Sequence, residues 1–282
     1  MRKLGTIKEI WRYPVKGMAG ERVETCSLDD MGLYGDRRWA VRDLGRNEIQ
    51  SCKFRPQLLR CTARTRTDFE APLIEFPDGE TMTCADASAD ERLSDLLGHA
   101  SRIEPLQDNQ GMDRFRRYKS AGVDWLDELK ATFDREEGEP LPDFSNLPQV
   151  VSDFVSVPGT FFLVAPVHIV TTATLAQLAT VQEGADWDAR RFRPNLVIET
   201  LPSEEGFAEQ NWISQTLHMG GAKLACTATT PRCGAITRAQ RDFGADTQVL
   251  RTVVKHADQN VGIYGRAAEP GILNAGDEVW IS

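Results

Sequence analysis

Several common functional devices are missing from this sequence, and each absence removes a class of chemistry. No two of the six cysteines (Cys26, Cys52, Cys61, Cys84, Cys226 and Cys233) stand in a C-x-x-C pair. Zinc-ribbon, thioredoxin-like and ferredoxin-like spacings are therefore excluded, and no cysteine-bound iron–sulfur cluster or structural zinc is expected. The four histidines, His99, His168, His218 and His256, show neither H-x-H nor H-x-x-x-H spacing and read as structural residues rather than metal ligands. No G-x-S-x-G, G-x-x-x-x-G-K-[ST] or G-x-G-x-x-G segment occurs, so hydrolase, P-loop and Rossmann readings lose their main support.

Long hydrophobic runs are also lacking. The longest, Phe161 to Val167, has seven residues including Pro166, whereas a membrane-spanning helix needs about 20. The N-terminus is charged early but lacks the apolar stretch of a secretory signal. A cytoplasmic protein with six reduced thiols and no membrane partner is expected. Positive charge is in deficit as well: 33 Lys and Arg stand against 42 Asp and Glu, a formal charge of −9, so no nucleic-acid partner is expected. The deficit is uneven, because residues 1–66 hold 15 Lys and Arg against 8 Asp and Glu. Such a basic segment on an acidic protein suits a local anion site, and equally suits arginines on solvated strand faces.

What is present is a globular chain of 282 residues, 41% hydrophobic and 27% charged, long enough for about two domains. Alternation at Leu59, Cys61 and Ala63 predicts a strand, and Pro77-Asp78-Gly79-Glu80 predicts a hairpin between Leu73–Phe76 and Thr81–Cys84. A helix is expected with Ser88 or Asp90 as its cap, Leu93, Leu96 and Leu97 as its stripe and Gly98 as its stop. A second follows at Asp124–Phe133, and then Pro140, Pro142, Pro148 and Pro158 mark an extended connector. Further strands are expected at Phe161–Val164, Asn195–Glu199, Thr216–Met219, Ala222–Cys226 and Glu278–Ile281, with helices at Thr172–Val181 and Asp246–Lys255. Many short strands with few helices predict a mainly β, α+β fold of two β-barrel-like domains. The expected division is an N-terminal barrel at 1–105, a helical insertion and connector at 106–160, and a second domain at 161–282.

Three segments could carry chemistry. In Thr230-Pro231-Arg232-Cys233-Gly234 a cysteine follows a cation between a proline and a glycine. That setting suits an exposed thiolate for a transition metal or a redox step, while a buried inert cysteine remains the alternative. In Tyr13-Pro14-Val15-Lys16-Gly17 and Gly35-Asp36-Arg37-Arg38-Trp39, Lys16 offers a point charge and Arg37 a planar fork, a pair suited to phosphate. In Arg190-Arg191-Phe192-Arg193-Pro194-Asn195, a cation and an amide lead into a strand, where the amide can read a heterocycle edge. Each of the three also reads as a surface charge cluster.

Taken in order, Y-P-V-K-G, G-D-R-R-W, R-F-R-P-N-L-V-I, P-R-C, N-x-G-x-Y-G and G-D-x-V resemble the MOSC family of molybdenum-cofactor-binding domains and its N-terminal β-barrel. The resemblance implies that Cys233 is a thiolate ligand to molybdenum beside a molybdopterin and the catalytic residue. It implies further that Lys16 and Arg37 bind the cofactor phosphate, that Arg193 and Asn195 hold the pterin, and that Gly17, Thr171 and Arg232 line the cofactor. Where amidoxime-reducing relatives have a serine after the lysine, this chain has Gly17, so a contact there uses the backbone N–H. Where they have a large aliphatic residue after the cysteine, it has Gly234, and the segment at 106–160 has no recognised counterpart and could cover the active site. The resemblance implies a molybdenum-dependent oxidoreductase that reduces small N-hydroxylated or other N–O compounds. With no ferredoxin or Rossmann motif in the chain, its electrons are expected from a separate donor, a ferredoxin-like or haem protein with a flavin reductase. The alternative is a non-catalytic carrier of molybdenum cofactor or sulfane sulfur.

Overall fold

Strand β1 (Arg2–Arg12) buries Leu4, Ile7 and Ile10, a three-residue spacing that a regular pleat cannot turn to one face. Two register shifts resolve this, one between Lys3 and Gly5 against β17 (Glu278–Ile281), the other between Ile7 and Glu9 against β12 (Leu196–Thr200). Each shift adds a residue to one strand and rotates the following side chains back toward the core. From β12 the sheet continues through β11 (Val167–Thr171), β15 (Asn260–Glu269), β14 (Ala222–Pro231), β13 (Thr216–Met219) and β17 to β1 again, with β2 (Glu21–Val23) paired to the end of β1. The result is a closed barrel of 7 strands, filled by Leu4, Ile7, Ile10, Ile169, Leu196, Ile198, Leu224 and Ile263. The expected mainly β architecture is therefore present, with the first strand of the chain closing a barrel otherwise built from residues 167–281.

The computed structural model describes residues 1–66, 70–107, 111–119, 122–143 and 153–282, so part of the expected connector, including Pro148, lies outside the described residues. Strands β11 and β12 are parallel, and helix α3 (Thr172–Val181) is the crossover that such a pair requires. Helix α4 (Thr247–His256) buries Val249, Leu250 and Val253, and Asp246 caps it by accepting from the Gln248 N–H.

The N-terminal part holds three small sheets. One joins β5 (Trp39–Asp43), β6 (Glu48–Ile49) and β10 (Ser101–Pro105), and another joins β7 (Thr62–Arg64), β8 (Leu73–Glu75) and β9 (Thr81–Thr83). The third joins β3 (Thr25–Asp29) and β4 (Gly32–Leu33) to β16 (Gly271–Asn274) from the far end of the chain. Helix α1 (Ala87–Leu97) closes this part by packing Leu93 and Leu97 into a core with Leu58, Ile74 and Phe76. The expected hairpin is present, closed by Phe76 N–H to Glu80 O at 2.8 Å. No described helix is long and apolar enough to cross a membrane.

Three local expectations are corrected. Asp86, rather than Ser88 or Asp90, caps α1, because its carboxylate accepts from the Ser88 N–H. Pro56 starts a 3-10 turn over Pro56–Arg60, so only Thr62–Arg64 of the alternating segment is strand. Phe161–Val164 forms no strand: Phe161 and Phe162 are buried, Leu163 and Val164 are exposed, and the Phe161 carbonyl is held by a side chain. A short apolar run fits a buried strap as well as a strand, and periodicity cannot separate the two.

Candidate functional site

The segment after β1 turns back on itself at Gly17, whose φ of 85° lies in the left-handed region. A side chain there would also crowd the Cys52 N at 3.1 Å. This turn buries Lys16, whose backbone N–H is held by Trp39 O at 2.8 Å and whose Nζ donates to Phe161 O at 2.7 Å. Burial in low dielectric pushes the ammonium down to about 7, and the nearby charges of Arg37, Lys53 and Arg193 add to that push.

Arg37 and Arg193, distant in sequence, meet over the ring of buried Tyr13, their guanidinium carbons 5.6 and 4.3 Å from its centroid. Both have positive φ, 49° and 56°, uncommon for residues with a side chain. Tertiary bonds hold them there: Arg37 N–H donates to Tyr13 O at 2.8 Å, and the Tyr13 hydroxyl donates to Pro194 O at 3.0 Å. Arg37 pairs with buried Asp36 at 2.5 Å, while Arg193 Nη1 donates to Met18 O at 2.6 Å. Asn195 is fully buried behind them. Its Oδ1 accepts from His168 N–H at 3.1 Å and from Arg37 Nη1 at 3.4 Å, and its Nδ2 donates to Trp11 O at 3.2 Å. The amide thus braces β1, β11 and Arg37 together.

Arg232 enters from the end of β14 and is buried, with Nη2 donating to Phe192 O at 2.5 Å and Nη1 lying 3.5 Å from His168 Nε2. Burial and the Arg232 charge press His168 down to about 3, so its ring stays neutral. Cys233 follows, half-buried and free, at the start of the 3-10 turn Gly234–Thr237.

The structure therefore brings Lys16, Gly17, Arg37, Arg193 and Asn195 to one place and sets Arg232 against the same cluster. The Thr171 hydroxyl is engaged within the fold: it donates to Glu209 Oε2 at 2.5 Å and accepts from Thr174 N–H at 3.1 Å, capping α3. Glu209, fully buried, also accepts from Gly262 N–H at 3.1 Å, and burial raises its carboxyl above the usual range. Sequence reading missed Tyr13 as the stacking platform, His168 as the neighbour of Arg232, and Arg135, whose Nη2 donates to Arg232 O at 3.1 Å. For Tyr13 the signal was its place directly before Pro14-Val15-Lys16; Arg135 lies in a segment without motif or periodicity.

Whether such a site suits a phosphate-bearing cofactor can be judged from its charges. Of Lys16, Arg37, Arg193 and Arg232, only Arg37 has a carboxylate within ion-pair distance among the described residues. Buried Arg232 Nε has no partner there. Like charges, buried at Lys16 and Arg232 and half-buried at Arg37 and Arg193, repel one another with so little compensation, and an anionic group placed among them would relieve that repulsion. The residues fit such a group.

Known proteins agree in outline. The MOSC N-terminal beta barrel domain matches residues 4–115, and the MOSC domain matches residues 158–280. The chain is 23% identical over 313 residues to mitochondrial amidoxime-reducing component 1 of Homo sapiens, covering 100% of this chain and 84% of that protein. It is 23% identical over 311 residues to mitochondrial amidoxime reducing component 2 of Rattus norvegicus, covering 99% and 84%. Among solved structures, the YuaD protein from Bacillus subtilis aligns over 100% of this chain and 97% of its own, with a TM-score of 0.47 and 12% identity.

Proposed function

Because the chain belongs to the MOSC domain family, whose domains are associated with molybdenum cofactor binding, we propose that it is a molybdenum-dependent oxidoreductase. Its substrates are small N-hydroxylated or related N–O compounds, the class named in its amidoxime-reducing relatives. The observation that carries the reading is the cluster of buried Lys16 with half-buried Arg37 and Arg193 around Tyr13, with Asp36 as the one carboxylate paired to it among the described residues.

In this reading Lys16 and Arg37 would bind the phosphate of the cofactor, and Arg193 would hold its pterin. Gly17 contributes its backbone N–H. Asn195 acts from behind, fixing Arg37 against β1 and β11. Thr171 keeps the end of β11 in place through its bond to Glu209. The thiolate of Cys233 holds the metal, and Arg232 anchors that loop through Phe192 O. When bound, the cofactor supplies two-electron redox chemistry at molybdenum. Electrons come from a separate ferredoxin-like or haem protein with a flavin reductase, in the cytoplasm.

The test is an assay of molybdenum-loaded protein with NADH and an N-hydroxylated substrate, with and without a flavin reductase and a small electron carrier. Turnover that needs the added proteins supports the reading. Full loading without turnover under any donor favours a cofactor carrier instead.

A further inference from the structure

Two departures from the amidoxime-reducing pattern, the glycine after Cys233 and the segment at 106–160, meet in space. Helix α2 (Trp125–Ala131) ends at Thr132, and the chain beyond it lies against the cysteine loop. Gly234 N–H, in the peptide that follows Cys233, donates to Thr132 O at 2.9 Å. Arg232 O, in the peptide that precedes Cys233, accepts from Arg135 Nη2 at 3.1 Å. Both peptide units bracketing the thiol are therefore tied to the insertion. The same guanidinium donates to Phe133 O at 2.7 Å, Pro140 O at 2.9 Å and Gln259 Oε1 at 3.1 Å. Gln259 in turn takes the Arg232 N–H on its carbonyl at 2.8 Å. A planar fork with five donors can reach four acceptors in this way, and an ammonium with three donors cannot.

The glycine is part of the same contact. A Cβ on Gly234 would lie 2.7 Å from Asp134 Cβ, closer than two carbons can approach. Asp134 itself has a φ of 54° and is pinned by Arg251, which bonds its carbonyl, and by Arg238, 3.5 Å from its carboxylate. The insertion therefore occupies the volume that a side chain at 234 would fill.

We propose that Arg135 is a positioning residue that clamps the Cys233 backbone, and that Gly234 is required by the insertion docked against it. This rests on Cys233 being the functional thiol. The clamp restricts how far the loop opens, and so how the thiol meets anything approaching it.

The experiment is site-resolved alkylation of Cys233 by iodoacetamide in the full cofactor-free chain, at one alkaline pH held for the wild type and every variant. Mass spectrometry follows each cysteine, and the buried Cys61 and Cys226 report global unfolding by losing their protection. Arg135→Ala is expected to raise the Cys233 rate about tenfold, since two hydrogen bonds outside the insertion are lost. Arg135→Lys should come close to the alanine variant. Gly234→Ala should also accelerate the reaction, and adding Asp134→Gly should restore the slow rate by removing the clash. An unchanged rate in Arg135→Ala, or full protection in Arg135→Lys, would overturn the clamp. Such a failure leaves the molybdenum reading standing, because that reading fails on metal content, which alkylation does not measure.

Discussion

Lys16 is buried among other cations with a single carbonyl on its ammonium, whereas Cys233 is half-exposed and it is the backbone on either side of it that is held. The first region stores uncompensated positive charge, and the second stores geometry. Charge collected in this way costs folding free energy until an anion arrives. A fixed loop does the opposite, lowering the cost of placing one atom correctly. The anchor end should therefore respond to charge and pH, and the thiol end to shape.

The largest effect is expected from Cys233→Ser, which should reduce turnover to background while circular dichroism shows an intact fold. A hydroxyl at that position is not ionised at neutral pH and does not supply the thiolate donor that this account assigns to the metal. Next comes Lys16→Glu, which puts a negative charge against a phosphate and should lower molybdenum per chain by about tenfold or more, measured by elemental analysis. Retained metal in that variant would erase the contrast between the two ends.

The pH dependence is smaller and has a definite sign. In the folded chain the Lys16 ammonium titrates near 7 instead of its usual 10.5, because of burial with the charges of Arg37, Lys53 and Arg193. Between those values the unfolded chain holds the proton and the folded chain does not, so stability from this group rises with pH across the window and is lower below it. An anion favours the protonated form, so its binding above pH 7 takes up a proton. Affinity for the cofactor or for inorganic pyrophosphate should then fall with rising pH, by up to about tenfold per unit, as followed by calorimetry in buffers of different ionisation heat. Binding that is flat between pH 7 and 9 would contradict the buried-ammonium description.

The smallest effect on the site is expected from Leu250→Ala in α4, which empties a fully buried position. Stability should drop by about 2–5 kcal/mol in urea unfolding, with molybdenum content at 25 °C unchanged. A matching loss of metal would show that the site depends on general packing.

How much of this was legible depended on the range of the interactions. The Phe76–Glu80 hairpin, α3 and α4 follow from turn chemistry and apolar spacing, which are local. The closing of the barrel by β1 on β12 joins residues nearly two hundred positions apart, and no local pattern encodes which strand is the neighbour. Motif order pointed to Lys16, Arg37, Arg193, Asn195 and Cys233, but not to the directions of their side chains. Asn195 turned out to brace Arg37, and Thr171 to meet Glu209, because each had a buried partner that its own segment does not reveal. Arg135 was invisible because its role comes wholly from tertiary contact.

The most direct test of a molybdenum site built on Cys233 is elemental analysis of the wild-type chain and the Cys233→Ser variant, both purified from a cofactor-competent host. Near-stoichiometric molybdenum in the wild type, with its absorption spectrum altered or its metal lost in the variant, is the expected result. A wild-type chain free of molybdenum, or a variant with unchanged metal content and spectrum, would contradict it.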